Sequence, residues 1–157
     1  MPAIARIGDV FAISLPEGRV AYAHYVYRHP EIGTLLAFKS IIDDGSSSVE
    51  RIISAANLFP PIFVGLNFPI RQKLWRRIGT GPVGEFTFPR FRKSIRAAIG
   101  GYVAGVYSDW RLWDGESYQI IGFLPAELRS LECQAVWPSD LVEKRILTGE
   151  TIFDLVR

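Results

Sequence analysis

This sequence is poor in the residues that metal and thiol chemistry draw on. It has one cysteine, Cys133, and two histidines, His24 and His29. A lone cysteine cannot close an internal disulfide. Three such residues also give no spacing that matches a zinc site, so no metal is expected. Cys133 lies in the apolar run L-E-C-Q-A-V-W, where a thiol packs as a small hydrophobe. His29 precedes Pro30 in a turn and His24 sits between tyrosine and alanine neighbours, with nothing to position either against a nucleophile. Both read as packing or surface residues, and no catalytic residue is assigned. No apolar run approaches the roughly 18 residues a membrane helix needs. The opening M-P-A-I-A-R lacks the basic-then-apolar pattern of a signal peptide. With a net charge of only +2, the whole-chain balance names no partner. The expectation is one soluble, cytoplasmic domain over residues 1–157, without membrane or cofactor.

What the chain does have is apolar and aromatic surface: 48% of its residues are hydrophobic and 13% aromatic, enough for a core of ordinary size. Its organising stretch is Gly8–Tyr27. Phe11, Ile13 and Leu15 alternate with Val10, Ala12 and Ser14, the period of a pleated strand. Pro16-Glu17-Gly18-Arg19 supplies a turn, and Val20 to Tyr27 returns as a second strand rich in β-branched and aromatic residues. A hairpin alone is marginal, so the remaining chain must cover it.

Further on, Thr34 to Ile42 reads as a third strand. Ser47 with Glu50 has capping-box spacing, and Val49, Ile52, Ile53 and Ala56 follow one helical face, predicting a helix over 48–56 that packs on the sheet. Strands are expected at 62–66 and 74–78, then a loop from Gly79 to Pro89. Residues 91–107 carry mixed helix and glycine signals. Trp110–Trp113 and Ser117–Ile121 flank Asp114-Gly115 as a second hairpin. A helical turn is expected within 125–131 and a strand at 134–137. Asp140 and Glu143 form a cap-like pair opening a last helix, with Gly149 as its stop. The fold class is α+β: a mainly antiparallel, strongly curved sheet with two or three short helices.

Gly79-Thr80-Gly81-Pro82-Val83-Gly84 formally matches G-x-G-x-x-G. A dinucleotide loop needs a helix starting within it and an acid about 20 residues on. Here the loop runs into Phe86-Thr87-Phe88-Pro89, and 101–105 hold no acid, so no cofactor is assigned. The clearest electrostatic feature is a basic middle. Residues 71–96 hold eight cations against one acid, Glu85, a balance of +7 that leaves −5 for the rest. Arg71, Arg76, Arg77, Arg90 and Arg92 are the candidate partner-binding residues, with Trp110 and Trp113 as candidate aromatic anchors. Three apart in a strand, those tryptophans point to opposite faces, so at most one can face a partner. Such a segment suits an acidic protein surface or nucleic acid. A strand with arginines on its solvated face and aromatics in the core gives the same pattern.

Three pieces together carry a resemblance: G-D-V-F-A-I-S-L-P-E-G-R-V-A-Y-A near the start, K-L-W-R-R-I-G with F-P-R-F in the middle, and L-E-C-Q-A-V-W-P-S-D-L-V-E-K-R-I near the end. In this order they resemble the immunity protein 26 family of bacterial polymorphic-toxin systems, from Gly8 to about Leu147. The family pattern suggests a glycine two residues before Trp75, where this chain has Lys73. The resemblance implies a small cytosolic α+β protein, without enzymatic activity, that neutralises a cognate toxin domain by binding it. Asp9, Phe11, Trp75, Gly79 and Trp137 then read as residues that keep the fold. The alternative is a nucleic-acid-binding module using residues 71–96.

Overall fold

The structure, a computed structural model, describes residues 4–94 and 110–150. Most of the ambiguous stretch 91–107, and Arg96 of the basic segment, lie outside the described residues. The strands are β1 (Asp9–Ser14), β2 (Val20–His29), β3 (Gly33–Asp43), β4 (Ile62–Val64), β5 (Trp75–Thr80), β6 (Phe91–Ser94), β7 (Trp110–Trp113), β8 (Tyr118–Gly122) and β9 (Val136–Trp137). The helices are α1 (Val49–Ser54), α2 (Asn67–Arg71) and α3 (Ser139–Thr148). The chain folds as two compact units: Met1–Phe86 with Val136–Gly149, and Thr87–Ala135 with Glu150–Arg157.

The first unit carries a six-stranded sheet in the order β5-β1-β2-β3-β4-β9. Every pairing is antiparallel except β4 with β9. The expected hairpin is β1–β2, with Val10 opposite His24 and Ser14 opposite Val20. As an interior strand β1 is buried on both faces. Val10, Ala12, Val20, Tyr22 and Ile52 form one cluster, with Val49 and Ile53 packed against it, so α1 lies on this face through the residues its periodicity indicated. Its cap differs from the expected pair. Ser48 accepts from the Arg51 N–H at 3.2 Å, while the Ser47 hydroxyl donates to Asp43. Asp43 also accepts from Tyr22 and the Gly45 N–H, so Ser47 closes the preceding turn rather than the helix.

The loop glycines have a packing reason. A Cβ on Gly79 would come within 2.7 Å of Val49 Cγ2, and one on Gly81 within 2.9 Å of Ile53 Cδ1. These two glycines of G-x-G-x-x-G let the strand end lie against α1.

On the other face Phe11, Phe38, Trp75 and Trp137 are fully buried. Trp75 meets Phe38 edge-on at 6.0 Å and donates from Nε1 to Glu143 at 3.1 Å. Glu143 therefore faces the core and does not cap α3, whose N-cap is Pro138 with no side-chain bond. Its C-terminus closes as expected, with Gly149 at φ 78° donating to the Arg145 carbonyl. Arg145 is buried, its guanidinium 3.9 Å from the Phe59 ring centroid and 5.0 Å from that of Trp137. The two ends of the Trp137-to-Arg145 motif thus meet in space.

The short helix α2 was not indicated by periodicity. It ends in a Schellman arrangement, with Lys73 N–H bonded to the Ile70 carbonyl at 3.0 Å and Leu74 N–H to that of Pro69 at 2.8 Å. That motif needs a left-handed residue, and Lys73 fills it at φ 59°. This is the position where the family pattern suggests glycine. Since a side chain in this region costs about 1 kcal/mol, Lys73→Gly is expected to raise stability by about that much. Urea denaturation checks it, through a higher midpoint at unchanged slope.

The second unit holds the three-stranded antiparallel sheet β6-β7-β8. Its β7–β8 hairpin turns at Asp114-Gly115, where Asp114 accepts from the Glu116 and Ser117 amides at 2.9 Å. Trp113 packs edge-on against Phe88 and is stacked with Tyr118, and Phe91 is fully buried beside it.

Candidate partner-binding surface

The basic segment divides between the two units. Arg71 and Arg76 lie in the first, on the adjoining elements α2 and β5. Both are exposed, and among the described residues neither makes an ion pair or side-chain hydrogen bond. Arg77, half-exposed, pairs instead with the buried carboxylate of Asp9 at 3.7 Å. Asp9 is also held by the Arg6 N–H at 2.8 Å. Strand alternation explains the split: Trp75 enters the core opposite Ile13, and Arg76 falls on the opposite face. β5 ends the sheet order, so its outer edge is unpaired among the described residues, and its charges are of the kind that protect an edge strand. Around them lie exposed apolar side chains that sequence reasoning missed: Phe68, Leu74 and Ile78. The signal was in reach, since residues 68–78 alternate apolar and basic types without the acids that usually balance them.

In the second unit Arg90 is exposed, whereas Arg92 is built into the fold. Its Nε donates to the Leu131 carbonyl at 2.9 Å, its backbone joins Glu132 and Gln134, and its guanidinium lies 5.2 Å from the Trp110 ring centroid. Trp110 and Trp113 are both buried. The expected exposed anchor is therefore absent from this pair: both indoles fill the unit's interior. Exposed apolar surface here comes from Ile120 and Phe123 instead.

The buried titratable groups serve structure. His24 is enclosed, with Nε2 3.1 Å from the Gly81 carbonyl, and burial, aided by the nearby Lys39 ammonium, lowers its pKa. Lys39 donates to the Ala55 carbonyl and to Asn57, and its own pKa is lowered by burial. Burial and the bond to Asp43 push Tyr22 up to about 12. Burial pushes the Cys133 thiol to about 11, leaving it a poor nucleophile at neutral pH. His29 Nδ1 accepts from the Glu31 and Ile32 amides and locks the β2–β3 turn. Among the described residues no three of His, Cys, Asp and Glu are grouped to hold a metal ion, and no helix is long and apolar enough to cross a membrane.

The histidine burial has a pH consequence. His24 is neutral in the fold and free to charge in the unfolded chain, so the unfolded state binds the extra proton. Its contribution is therefore fully present above the ordinary histidine value of roughly 6.5 and is lost as pH falls below it. Urea midpoints between pH 7.5 and 5 should fall for the native protein, and fall less for His24→Gln.

The family model for immunity protein 26 matches residues 6–100, more than half of the chain. The protein is an immunity protein, of the class that acts against a toxin. It belongs to the immunity protein 26 family. The match takes in the hairpin, α1, α2 and β5 and stops before the Trp137-to-Arg145 motif, so it is shorter than the resemblance read from the sequence. No curated protein and no solved structure matches.

Proposed function

We propose that this protein works in the cytoplasm by binding a cognate bacterial toxin domain directly and stoichiometrically, catalysing no reaction. Family membership is the observation that carries the reading. The surface supports it: exposed, unpaired Arg71 and Arg76 stand beside Phe68, Leu74 and Ile78, a mixture of the kind found where one protein docks on another. Arg90 is an exposed cation of the second unit. An acidic surface on the toxin is the complementary partner.

The nucleic-acid alternative has less behind it. Single-strand binding needs aromatic rings presented beside the cations. Within residues 71–96, Trp75 and Phe91 are fully buried, while Phe86 and Phe88 are half-buried and stacked on Tyr27 and packed on Trp113 respectively, so the exposed ring nearest these cations in sequence, Phe68, lies outside that segment. The test is co-expression with the product of the gene beside its own. Growth should be restored by the immunity protein and the pair should co-purify. Unrelieved toxicity with soluble immunity protein present would overturn the reading.

A further inference from the structure

The first unit contains a cavity of about 370 Å³ where the β2–β3 turn, the end of β4 and α2 come together. Two arginines line it, Arg28 from the end of β2 and Arg71 from the end of α2. Both are exposed, and among the described residues neither has an ion pair or side-chain hydrogen bond. Among the described residues no acidic side chain lines the cavity. Tyr25 and Thr34 also line it, and their hydroxyls are joined to each other at 3.4 Å; one bond between two hydroxyls leaves a donor to spare. Leu66 and Ile70 add apolar wall. The frame is fixed on two sides: His29 holds the turn through two amides, and the Gly65 N–H bonds the Trp137 carbonyl at 3.0 Å. Two uncompensated guanidiniums against an apolar wall are complementary to a carboxylate carried next to a hydrophobic group.

We propose that this cavity is the recognition subsite for an acidic side chain of the partner, an aspartate or glutamate flanked by apolar residues, clamped by Arg28 and Arg71. The proposal rests on the toxin-binding reading above and gives that partner its chemistry. It makes Arg71 shared between the exposed basic surface and the cavity, and brings in Arg28, which lies outside the basic segment.

The direct probe is a blocked tripeptide, N-acetyl-Leu-Glu-Leu-amide, titrated into nitrogen-15-labelled protein while the arginine Nε–H resonances are followed. Saturable shifts at Arg28 and Arg71 are expected, with the Leu-Gln-Leu counterpart at least about tenfold weaker because it lacks the charge-assisted bonds. Arg28→Ala/Arg71→Ala should abolish the shifts, and Arg71→Lys should retain part of the affinity. Equal binding of the two peptides, or inorganic phosphate binding more tightly than the glutamate peptide, would overturn the proposal. The product of the adjacent gene provides the second arm, read by calorimetry. A loss of about tenfold or more in the double variant supports the subsite. Undiminished binding by that variant removes the cavity from the interface but leaves the immunity reading standing. If the wild-type protein does not bind that product, the immunity reading fails, and the tripeptide still decides the cavity.

Discussion

Trp75→Ala is expected to remove a large share of the first unit's stability. Trp75 is fully buried, packs edge-on against Phe38 and ties β5 to α3 through Glu143. Truncating a buried tryptophan costs about 3–5 kcal/mol, against a total of roughly 5–15 kcal/mol for a domain. The variant also leaves Glu143 facing the core without its donor. The expected result is a Tm lower by roughly 10 °C or more, together with early proteolysis. Trp75→Phe should recover part of the packing but not the hydrogen bond. A fall of less than about 1 kcal/mol for Trp75→Ala would mean that β5 contributes little to the unit.

The second large effect concerns association. Arg71→Glu/Arg76→Glu should slow binding to the toxin domain by about tenfold or more at low salt, because steering by opposite charge acts mainly on the on-rate. Wild-type association should itself slow as salt rises. The pair is chosen from the structure: both side chains are exposed and make no intramolecular bonds among the described residues. Arg77 and Arg92 would give an ambiguous answer, since one compensates Asp9 and the other braces the Leu131 carbonyl. Stopped-flow rates across a salt series provide the measurement. Salt-independent association with undiminished binding by the double variant would move the interface elsewhere, with the exposed Ile120 of β8 and Phe123 just after it the next surface to test.

Much of this architecture could be read from residue patterns because it rests on local periodicity. Alternation over Val10–Leu15 marked β1, i, i+3, i+4 spacing placed Val49, Ile52 and Ile53 on the sheet, and Asp114-Gly115 marked the second turn. The misses have a common physical cause: local signals with two possible outlets. Ser47 and Ser48 both suit a cap, and Asp43 decided between them by taking the first. Glu143 has capping spacing from Asp140, but a buried indole N–H required an acceptor there. Helix α2 has five residues and includes Pro69, too short to show a period, and its Schellman end is carried by a lysine. Glu17 at φ 65° is a second left-handed residue that composition does not flag. At the candidate site, the exposed arginines were identifiable from charge balance, but their division between the two units was not. Nor was the lining of one cavity by both Arg28 and Arg71, which tertiary packing alone creates.

In the proposed function, protection comes from one-to-one occupation of the toxin and not from turnover. This is tested most directly by titrating a fixed amount of purified toxin domain with this protein and reading residual toxin activity. The expected result is a linear loss that breaks at one equivalent, with full toxin activity recovered after the two are separated under denaturing conditions and the toxin refolded. Silencing by a small fraction of an equivalent, or toxin that stays inactive after separation when toxin alone refolds to full activity, would show that the protein acts catalytically.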